Sequence, residues 1–310
     1  MVNGPDRTRV AVAICTYKRN DLLTRLLDAL LVCAERVRDR AAIGIALIDD
    51  TADGQARVIA DAFADRFELG LRYAISGKQN ISLARNLAIG TALGLGDWIA
   101  MTDDDCEPPA HWLQALLDVQ RQTGADAVTG RIHRRVPEGS PRWITEQPFL
   151  ELGQADPADG AELTTAATFD TLISGRWLRE HPDVRFDPAL GAVGGEDMVF
   201  FRAAHAAGLK VRYSREGFVW ENEPADRATF AYQLYVHLWH GNSSYVAMVD
   251  SGQSRARMVA HGVASMGRAL ARPIGRLGRG QTPQLRYGLA MSLHALGKLL
   301  GPFGVRIAHR

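Results

Sequence analysis

The amino-acid sequence of 310 residues predicts an α/β protein built around a mostly parallel sheet. Short apolar runs alternate with helical patterns over the first ~130 residues, and this alternation is typical of right-handed βαβ units. The most informative feature is Asp103-Asp104-Asp105, which directly follows the apolar run at 98–101. Open α/β sheets bind ligands at the carboxyl ends of their strands, so three carboxylates at a strand end indicate a functional edge.

The predicted elements follow from hydrophobic periodicity, turn residues and helix-capping signals. The first strand lies at 9–14, and a leucine-rich helix follows it, capped by Asn20 or Asp21. Residues 134–170 are rich in Pro, Gly and acidic groups, and we expect loops there. The other predicted strands lie at 43–48, 71–75, 98–101, 126–130, 169–174, 210–213 and 217–221. The other predicted helices lie at 53–66, from 82 onward, at 109–122, at 196–207 and around 230–239.

The overall net charge of +1 hides a strong asymmetry along the chain. No acidic residue follows Asp250, so the first 250 residues hold 26 basic (36 − 10) and 35 acidic residues, a balance of −9. Such a basic tail indicates an anionic partner, which is either a lipid surface or a nucleic acid. The ten basic residues of the tail are Arg255, Arg257, Arg268, Arg272, Arg276, Arg279, Arg286, Lys298, Arg306 and Arg310.

Within this tail, residues 284–300 place five leucines near one helical face, namely Leu285, Leu289, Leu293, Leu296 and Leu300. A basic, amphipathic helix without acidic residues is typical of an interfacial membrane segment. An ordinary packed pair of C-terminal helices with a solvated basic face is the alternative. Nucleic-acid binding is disfavoured, because no aromatic interleaving accompanies the charge.

Three adjacent carboxylates repel one another, and the arrangement is costly unless a cation lies beside them. Mg²⁺ or Mn²⁺ is the natural candidate, since both take oxygen ligands and commonly share them with substrate phosphates. The alternative is a solvated acidic turn that caps the next helix, with Pro108 near its first turn.

The three cysteines show no C-x-x-C spacing and indicate a reducing compartment.

Four further motifs stand in order around the acidic trio: Cys15-Thr16-Tyr17-Lys18-Arg19, Asp49-Asp50, the run Asn-Ile-Ser-Leu-Ala-Arg-Asn at 80–86, and Gly194-Gly195-Glu196-Asp197. Together they resemble family 2 glycosyltransferases of the GT-A fold, and in particular bacterial exopolysaccharide glucosyltransferases of the succinoglycan type. The resemblance covers about residues 8–250. It implies a Rossmann-like, nucleotide-binding sheet flanked by helices, with a basic helical extension at the C-terminus.

The resemblance also implies a domain organisation. Residues 1–250 form the glycosyltransferase domain, with a nucleotide-sugar-binding half at 1–130 and a half at 131–250 that holds the acceptor and the catalytic base. Residues 251–310 form the basic amphipathic tail.

For the donor nucleotide, the resemblance implies four residues outside the acidic trio. Asp50 accepts a hydrogen bond from the uracil imide, Thr16 and Tyr17 hold the base, and Arg85 reaches into the nucleotide site. The alternatives are a loop aspartate that closes a turn, a plain first βα loop, and an arginine that points to solvent.

In the acidic trio, the D-x-D pattern of the family maps onto Asp103 and Asp105. Asp105 is the implied metal ligand, and Asp103 contacts the ribose or the metal through water, whereas Asp104 serves if the register differs. His240 is a candidate late metal ligand, with His237 a weaker one, and a core or surface histidine is the alternative. Relatives often carry arginines, which help to hold the diphosphate, where residues 235–242 carry these histidines. The residues that contact the diphosphate are therefore not assigned.

The resemblance assigns the catalytic base to Asp197, which removes the proton of the acceptor hydroxyl as that hydroxyl attacks the anomeric carbon. Glu196 is expected to contact the acceptor sugar. A carboxylate at a helix start is supported in its ionised form by the helix dipole. A simple helix-capping role for Glu196 or Asp197 is the alternative.

These observations predict a metal-dependent, inverting glycosyltransferase. We expect it to transfer a sugar, in particular glucose, from a UDP-sugar to a polyprenyl-diphosphate-linked oligosaccharide in exopolysaccharide or surface-glycan synthesis. The expected location is the cytoplasmic face of the cell membrane, where the protein is peripherally bound. A transferase for a small metabolite or protein acceptor and a non-catalytic sugar-nucleotide-binding scaffold are the alternatives.

Overall fold

The computed structural model describes residues 7–150, 156–250 and 252–308, without the side chains of Ala247 and Asp250. These residues form two compact units. The first contains residues 7–133, 156–191 and 196–222, and the second contains the remaining described residues. Residues 151–155, part of the predicted loop stretch, and Arg310 of the basic tail lie outside the described residues.

The strands are β1 (Thr8–Thr16), β2 (Ala41–Asp49), β3 (Leu71–Ile75), β4 (Trp98–Asp103), β5 (Cys106–Glu107), β6 (Ala127–Thr129), β7 (Ile132–Arg135), β8 (Glu162–Leu163), β9 (Thr171–Ser174), β10 (Val211–Tyr213) and β11 (Val219–Asn222). The helices are α1 (Asn20–Val37), α2 (Arg57–Phe63), α3 (Ile81–Leu93), α4 (Trp112–Thr123), α5 (Arg142–Glu146), α6 (Gly175–Glu180), α7 (Glu196–Ala206), α8 (Phe230–Asp250), α9 (Arg255–Leu277) and α10 (Leu285–Leu300).

The first unit is organised by an eight-stranded sheet of order β3-β2-β1-β4-β9-β6-β10-β8. Strands β3, β2, β1 and β4 are mutually parallel, which confirms the predicted parallel βαβ arrangement. Strand β9 lies antiparallel between β4 and β6, and β8 is antiparallel to β10. A smaller sheet has the order β5-β11-β7, and in it β11 pairs antiparallel with β5.

Alternate residues of the central strands enter two separate hydrophobic cores. Val10, Val12 and Ile14 face the core that contains the leucines of α1 and part of α4, whereas Ala11 and Ala13 face the core built by α3, α6 and α7. This alternation follows from the period of two in a β-strand. The first unit is therefore a three-layer α/β/α arrangement, as the sequence predicts.

Some local expectations are wrong. Helix α1 begins at Asn20 itself, and neither Asn20 nor Asp21 caps it, because the side-chain amide of Asn20 instead donates to the carbonyl of Gln55. Helix α2 starts later than predicted, because the buried Asp49 carboxylate accepts from the amides of Thr51 and Ala56 and holds the chain in a turn. The stretch predicted as loops contains α5 and β8, which are too short to show a clear period.

In the second unit, α8, α9 and α10 form a helical group. The domain boundary at residue 250 stays a prediction. Small residues allow the close approach of α10 to α8: a Cβ at Gly297 would collide with the carbonyl oxygen of Leu238, and a Cβ at Gly241 with that of His294. No helix among the described residues is long and apolar enough to cross a membrane.

Gly297→Ala is expected to lower the free energy of unfolding by about 1–3 kcal/mol, because the added methyl group forces α8 and α10 apart. Gly267→Ala in α9 is the matched control, since a Cβ at Gly267 meets no atom within 4 Å. That control is expected to gain about 1 kcal/mol from helix propensity. Denaturant unfolding of both variants measures the effects, and equal stabilisation by the two would contradict the packing described here.

Candidate active site

The acidic trio lies at the carboxyl end of β4, beside the end of β1, with Cys15 paired to Asp103 in register. Asp104 and Asp105 are buried, and Asp103 is partly exposed. Helix α4 begins only at Trp112 and has no side-chain cap. The alternative of a solvated acidic turn that caps this helix is therefore wrong.

Arg19 provides a cation for two of the three adjacent carboxylates. Its Nη1 donates to Asp104 Oδ1 at 2.9 Å and to Asp105 Oδ2 at 2.8 Å. The hydroxyl of Thr16 donates to the other Asp104 oxygen at 2.8 Å, so both oxygens of Asp104 have partners within the protein. Asp104 is thus bound as a structural carboxylate between β1 and β4.

Arg19 belongs to the motif at 15–19 but was not among the predicted site residues. A signal was available, because Arg19 follows the end of β1, and β1 and β4 end at the same edge of a parallel sheet. Lys18 adopts a left-handed conformation with φ of 57°, a local turn that precedes Arg19. A cation at that place is a natural partner for carboxylates at the end of the neighbouring strand.

Burial raises the pKa of Asp105 to about 7, and the negative charge of Glu221 adds to this effect, while Arg19 opposes it. Glu221 lies on β11, and the amide of its neighbour Asn222 donates to the carbonyl of Asp105. Glu221 was missed in the sequence, although it ends a predicted strand. A buried carboxylate with a raised pKa is one that an added cation stabilises in its ionised form.

The donor atoms of the trio fit a divalent ion that shares its ligands with a substrate. Asp103 and Asp105 offer carboxylate oxygens, the ligands that Mg²⁺ and Mn²⁺ prefer. Within the described part of the chain, no three His, Cys, Asp or Glu side chains gather as a complete metal site. Mg²⁺ is commonly held by one or two carboxylates together with substrate phosphates.

Asp49 and Asp50 have different environments at the end of β2. Asp49 is fully buried and accepts four hydrogen bonds, from the amide and hydroxyl of Thr51, the amide of Ala56 and the hydroxyl of Tyr73. It is a structural residue of the following turn.

Asp50 anchors the loop that leads into α3. One of its oxygens accepts from the amides of Lys78 and Gln79, and the other accepts from the amide of Asn80 at 2.7 Å. Gln79 has a φ of 49°, so this carboxylate stabilises a left-handed turn. Asp50 Oδ2 accepts only this one hydrogen bond among those described, and a carboxylate oxygen can accept a second.

Thr16 and Tyr17 lie at the first βα turn, as predicted. The carbonyl of Thr16 accepts from the amide of Asp50 at 2.9 Å, which joins the ends of β1 and β2. The ring of Tyr17 is partly exposed, and the ammonium of Lys18 lies 5.1 Å from its centroid. An exposed aromatic ring beside a cation is a surface on which a nucleobase can stack.

Arg85 joins the acidic trio to the Glu-Asp motif. Its Nη2 donates to Asp103 Oδ1 at 3.2 Å, and its Nη1 forms an ion pair with Glu196. The side chain is largely buried, so the alternative of an arginine that points to solvent is wrong. Although burial alone would lower the pKa of Arg85, the charges of Asp103 and Glu196 outweigh it, and the guanidinium stays charged.

Asp197 lies in the first turn of α7 and accepts a hydrogen bond from the amide of Met198 at 2.7 Å. Burial raises its pKa to about 6, and the charge of Glu196 contributes to the rise, while Arg85 opposes it. The hydrogen bond from the helix-start amide of Met198 lowers this pKa, but burial has the larger effect. A carboxyl group with a pKa near the working pH is suited to accept a proton.

The two candidate histidines lie on α8 in the second unit. A ring nitrogen of His237 lies 2.7 Å from the carbonyl of Gln233, and its ring meets Phe149 edge-on at 5.6 Å. His237 is half-buried, and its burial lowers its pKa. Its role as a metal ligand stays a prediction. His240 packs against the ring of Trp239 at 4.6 Å, and its role as a metal ligand stays a prediction.

The chain is similar to known proteins in both sequence and fold. The model of "Glycosyl transferase family 2" matches residues 11–184. The chain is 30% identical over 257 residues to the succinoglycan biosynthesis protein ExoM of Rhizobium meliloti (strain 1021), a match that covers 83% of this chain and 77% of that protein.

Two solved proteins are similar in structure. S. aureus TarS 1-349 in complex with UDP-GlcNAc superposes with a TM-score of 0.53 at 14% identity, covering 93% of this chain and 89% of that one. GalNAc-T7 with UDP, GalNAc and Mn²⁺ gives a TM-score of 0.54 at 15% identity, covering 78% of this chain and 50% of that one. The GT-A fold is thereby confirmed, and the matched family model and the ExoM similarity establish that the chain is a glycosyltransferase of family 2.

Proposed function

We propose that this glycosyltransferase transfers a sugar from a UDP-sugar to a saccharide acceptor with inversion at the anomeric carbon. The observation that carries the proposal is Arg85, whose guanidinium pairs with Asp103 at the end of β4 and with Glu196 beside Asp197. The carboxylates expected to hold the donor and the carboxylate expected to accept a proton therefore belong to one connected cluster. The choice of nucleotide is supported by the TarS complex with UDP-GlcNAc and the GalNAc-T7 complex with UDP.

The donor nucleotide lies, in this proposal, at the ends of β1, β2 and β4. The exposed ring of Tyr17 stacks on the uracil, and Asp50 Oδ2 accepts from its imide in addition to the amide of Asn80. Asp50 and Thr16 also hold the surrounding loops through backbone contacts, so the site is largely formed before the donor binds. Asp104 acts as a structural neighbour rather than a ligand, because Thr16 and Arg19 occupy its oxygens.

Asp105 and Asp103 would hold a Mg²⁺ or Mn²⁺ ion. When bound, the ion neutralises charge on the diphosphate and stabilises the departing UDP. Arg85 orients Asp103 and Glu196 at the same edge. Asp197 accepts the proton of the attacking hydroxyl, and Glu196 contacts the acceptor sugar.

The acceptor is proposed to be a polyprenyl-diphosphate-linked oligosaccharide, and the transferred sugar glucose. The similarity to ExoM, named for succinoglycan biosynthesis, supports an intermediate of an exopolysaccharide as the acceptor. Such an acceptor is carried by a membrane, so the enzyme is proposed to work as a peripheral protein at the inner face of the cell membrane.

A donor experiment tests this function. UDP is expected to bind more tightly than GDP in calorimetry, and UDP-sugars are expected to be hydrolysed slowly while GDP-sugars are not. Tyr17→Ala is expected to weaken UDP binding about tenfold, because base stacking is lost. Val58→Ala, at an exposed aliphatic residue of α2, is the control and should leave the affinity unchanged. Hydrolysis of GDP-sugars in preference to UDP-sugars would refute the assignment.

A further inference from the structure

Helices α9 and α10 expose large aliphatic side chains to solvent. On α9, Val263, Leu270, Ile274 and Leu277 are between 58% and 72% exposed. On α10, Leu285, Leu289 and Leu296 are between 38% and 67% exposed. These seven residues are called the apolar face below.

The residues that these two helices bury are mostly small. Gly262 and Ala269 are buried on α9, and Gly288, Ala295 and Gly297 are buried on α10. In a helix that faces water, the larger apolar residues normally point inward and the small ones are free to lie outside. The inverted pattern here indicates that the larger side chains have a partner outside the second unit.

The two exposed stripes lie on the same side of the helical pair. Gly262 abuts Leu299 and Pro273 abuts Gly288, so the helices are antiparallel. The contact line runs through Gly262 and Pro273 on α9, and through Gly288 and Leu299 on α10. At 3.6 residues per turn, the exposed residues of each helix lie roughly 70–80° around the helix from this line. The rotation has the same sense on both helices when each is viewed along its own chain direction. Because the helices are antiparallel, equal rotations bring both stripes to one side of the pair.

The arginines of α9 lie on the other side of the contact line. Arg257, Arg268 and Arg272 are exposed and are rotated by roughly 90–150° away from that line in the opposite sense. The pair therefore has an apolar side and a basic side, the arrangement of a helix that lies in the plane of a membrane interface. Long arginine side chains reach past a helix to lipid headgroups, so the basic side also contributes.

We propose that the apolar face docks on an anionic lipid surface, inserting its aliphatic side chains among the headgroups. Residues 251–310 carry ten basic and no acidic residues, which complements an anionic leaflet. The same charge opposes a second copy of this chain as the occupant, because two such segments repel each other. This inference rests on the proposed function, because a lipid-linked acceptor gives the enzyme a reason to dock on a membrane. Lipid binding itself is measured without donor or acceptor.

Vesicle flotation tests the docking surface. The full chain is expected to bind phosphatidylglycerol–phosphatidylcholine vesicles, and binding to pure phosphatidylcholine is expected to be at least about tenfold weaker. The triple variant Leu270→Ser, Ile274→Ser, Leu277→Ser is expected to lose at least about tenfold in binding to the mixed vesicles. The control is Val32→Ser with Val58→Ser, two exposed aliphatic residues of the first unit, which should bind as the wild type does.

The outcomes separate this inference from the proposed function. Unchanged flotation of the triple variant would overturn the docking proposal. It would also be overturned if the wild type did not bind vesicles but formed a dimer, and the triple variant were monomeric. Equal binding to neutral and anionic vesicles would overturn the claim that the lipid surface must be anionic. UDP calorimetry on the same variants should match the wild type, and a loss of UDP binding in wild type and variants alike would refute the donor proposal without touching the lipid result.

Discussion

Asp197→Asn is expected to lower the rate of sugar transfer by about 10³-fold, within the range for loss of a general base, and to leave UDP affinity nearly unchanged. The asparagine keeps the size of the side chain and an oxygen that accepts from the amide of Met198. It removes the group proposed to take the acceptor proton, and it does not alter the strand ends proposed to hold UDP. Single-turnover transfer assays and UDP calorimetry measure the two effects separately.

The pH dependence of the wild type provides an independent measurement. The base must be ionised to act, and burial raises the pKa of Asp197 to about 6. Transfer is therefore expected to be slow below pH 6, to rise through that value and to level off above it. The variant is expected to lack this rise. Asp183→Asn, at an exposed aspartate of the first unit, is the control and should retain both the rate and the profile. Normal turnover in Asp197→Asn would remove the assigned base.

Asp105→Asn is expected to abolish the effect of Mn²⁺ on UDP binding and to lower transfer by at least about 10²-fold, since an electrostatic contribution to the leaving group is lost. An asparagine side chain is a poor ligand for a divalent ion compared with a carboxylate. Calorimetry of UDP with and without Mn²⁺ measures the first effect directly. The wild type is expected to bind UDP more tightly when Mn²⁺ is present.

Asp104→Asn provides the matched control for this experiment. Both oxygens of Asp104 already have partners in Thr16 and Arg19, so its replacement should leave the Mn²⁺ effect in place. Loss of the effect in Asp104→Asn and its retention in Asp105→Asn would show that the metal register is shifted by one residue. Equal UDP affinity with and without Mn²⁺ in the wild type would contradict metal bridging altogether.

The central strands could be predicted because each carries a continuous apolar signal over several residues. Strand β3 was predicted at its observed bounds, and β1, β2 and β4 within two residues at each end. Helix starts were less predictable. The side chain of Asn20 binds a carbonyl 35 residues away, and Asp49 holds a turn that delays α2, contacts that a local capping rule does not include.

Within the candidate site, the sequence located the carboxylates but did not distinguish their partners. Three adjacent aspartates were predicted to need a cation, and the structure provides Arg19 for Asp104 and Asp105. Asp50 was predicted as a ligand of the base, and the structure also uses it to hold three backbone amides. Glu221 lies in the site because its strand, β11, pairs with β5, which is more than 100 residues away in the chain.

The order of apolar runs, helices and acidic strand ends was sufficient to indicate the α/β fold and the edge of the sheet proposed to carry its chemistry, because these properties depend on local pattern and spacing. The resemblance of the motifs indicated the family. The pairing of Arg19 with Asp104, the link from Asp103 through Arg85 to Glu196, and the outward leucines of α10 depended on contacts between distant segments. Periodicity shows which residues share a helix face. Which face meets a neighbour depends on how closely two backbones approach, and here Gly241 and Gly297 bring α10 against α8 and leave its leucines outside.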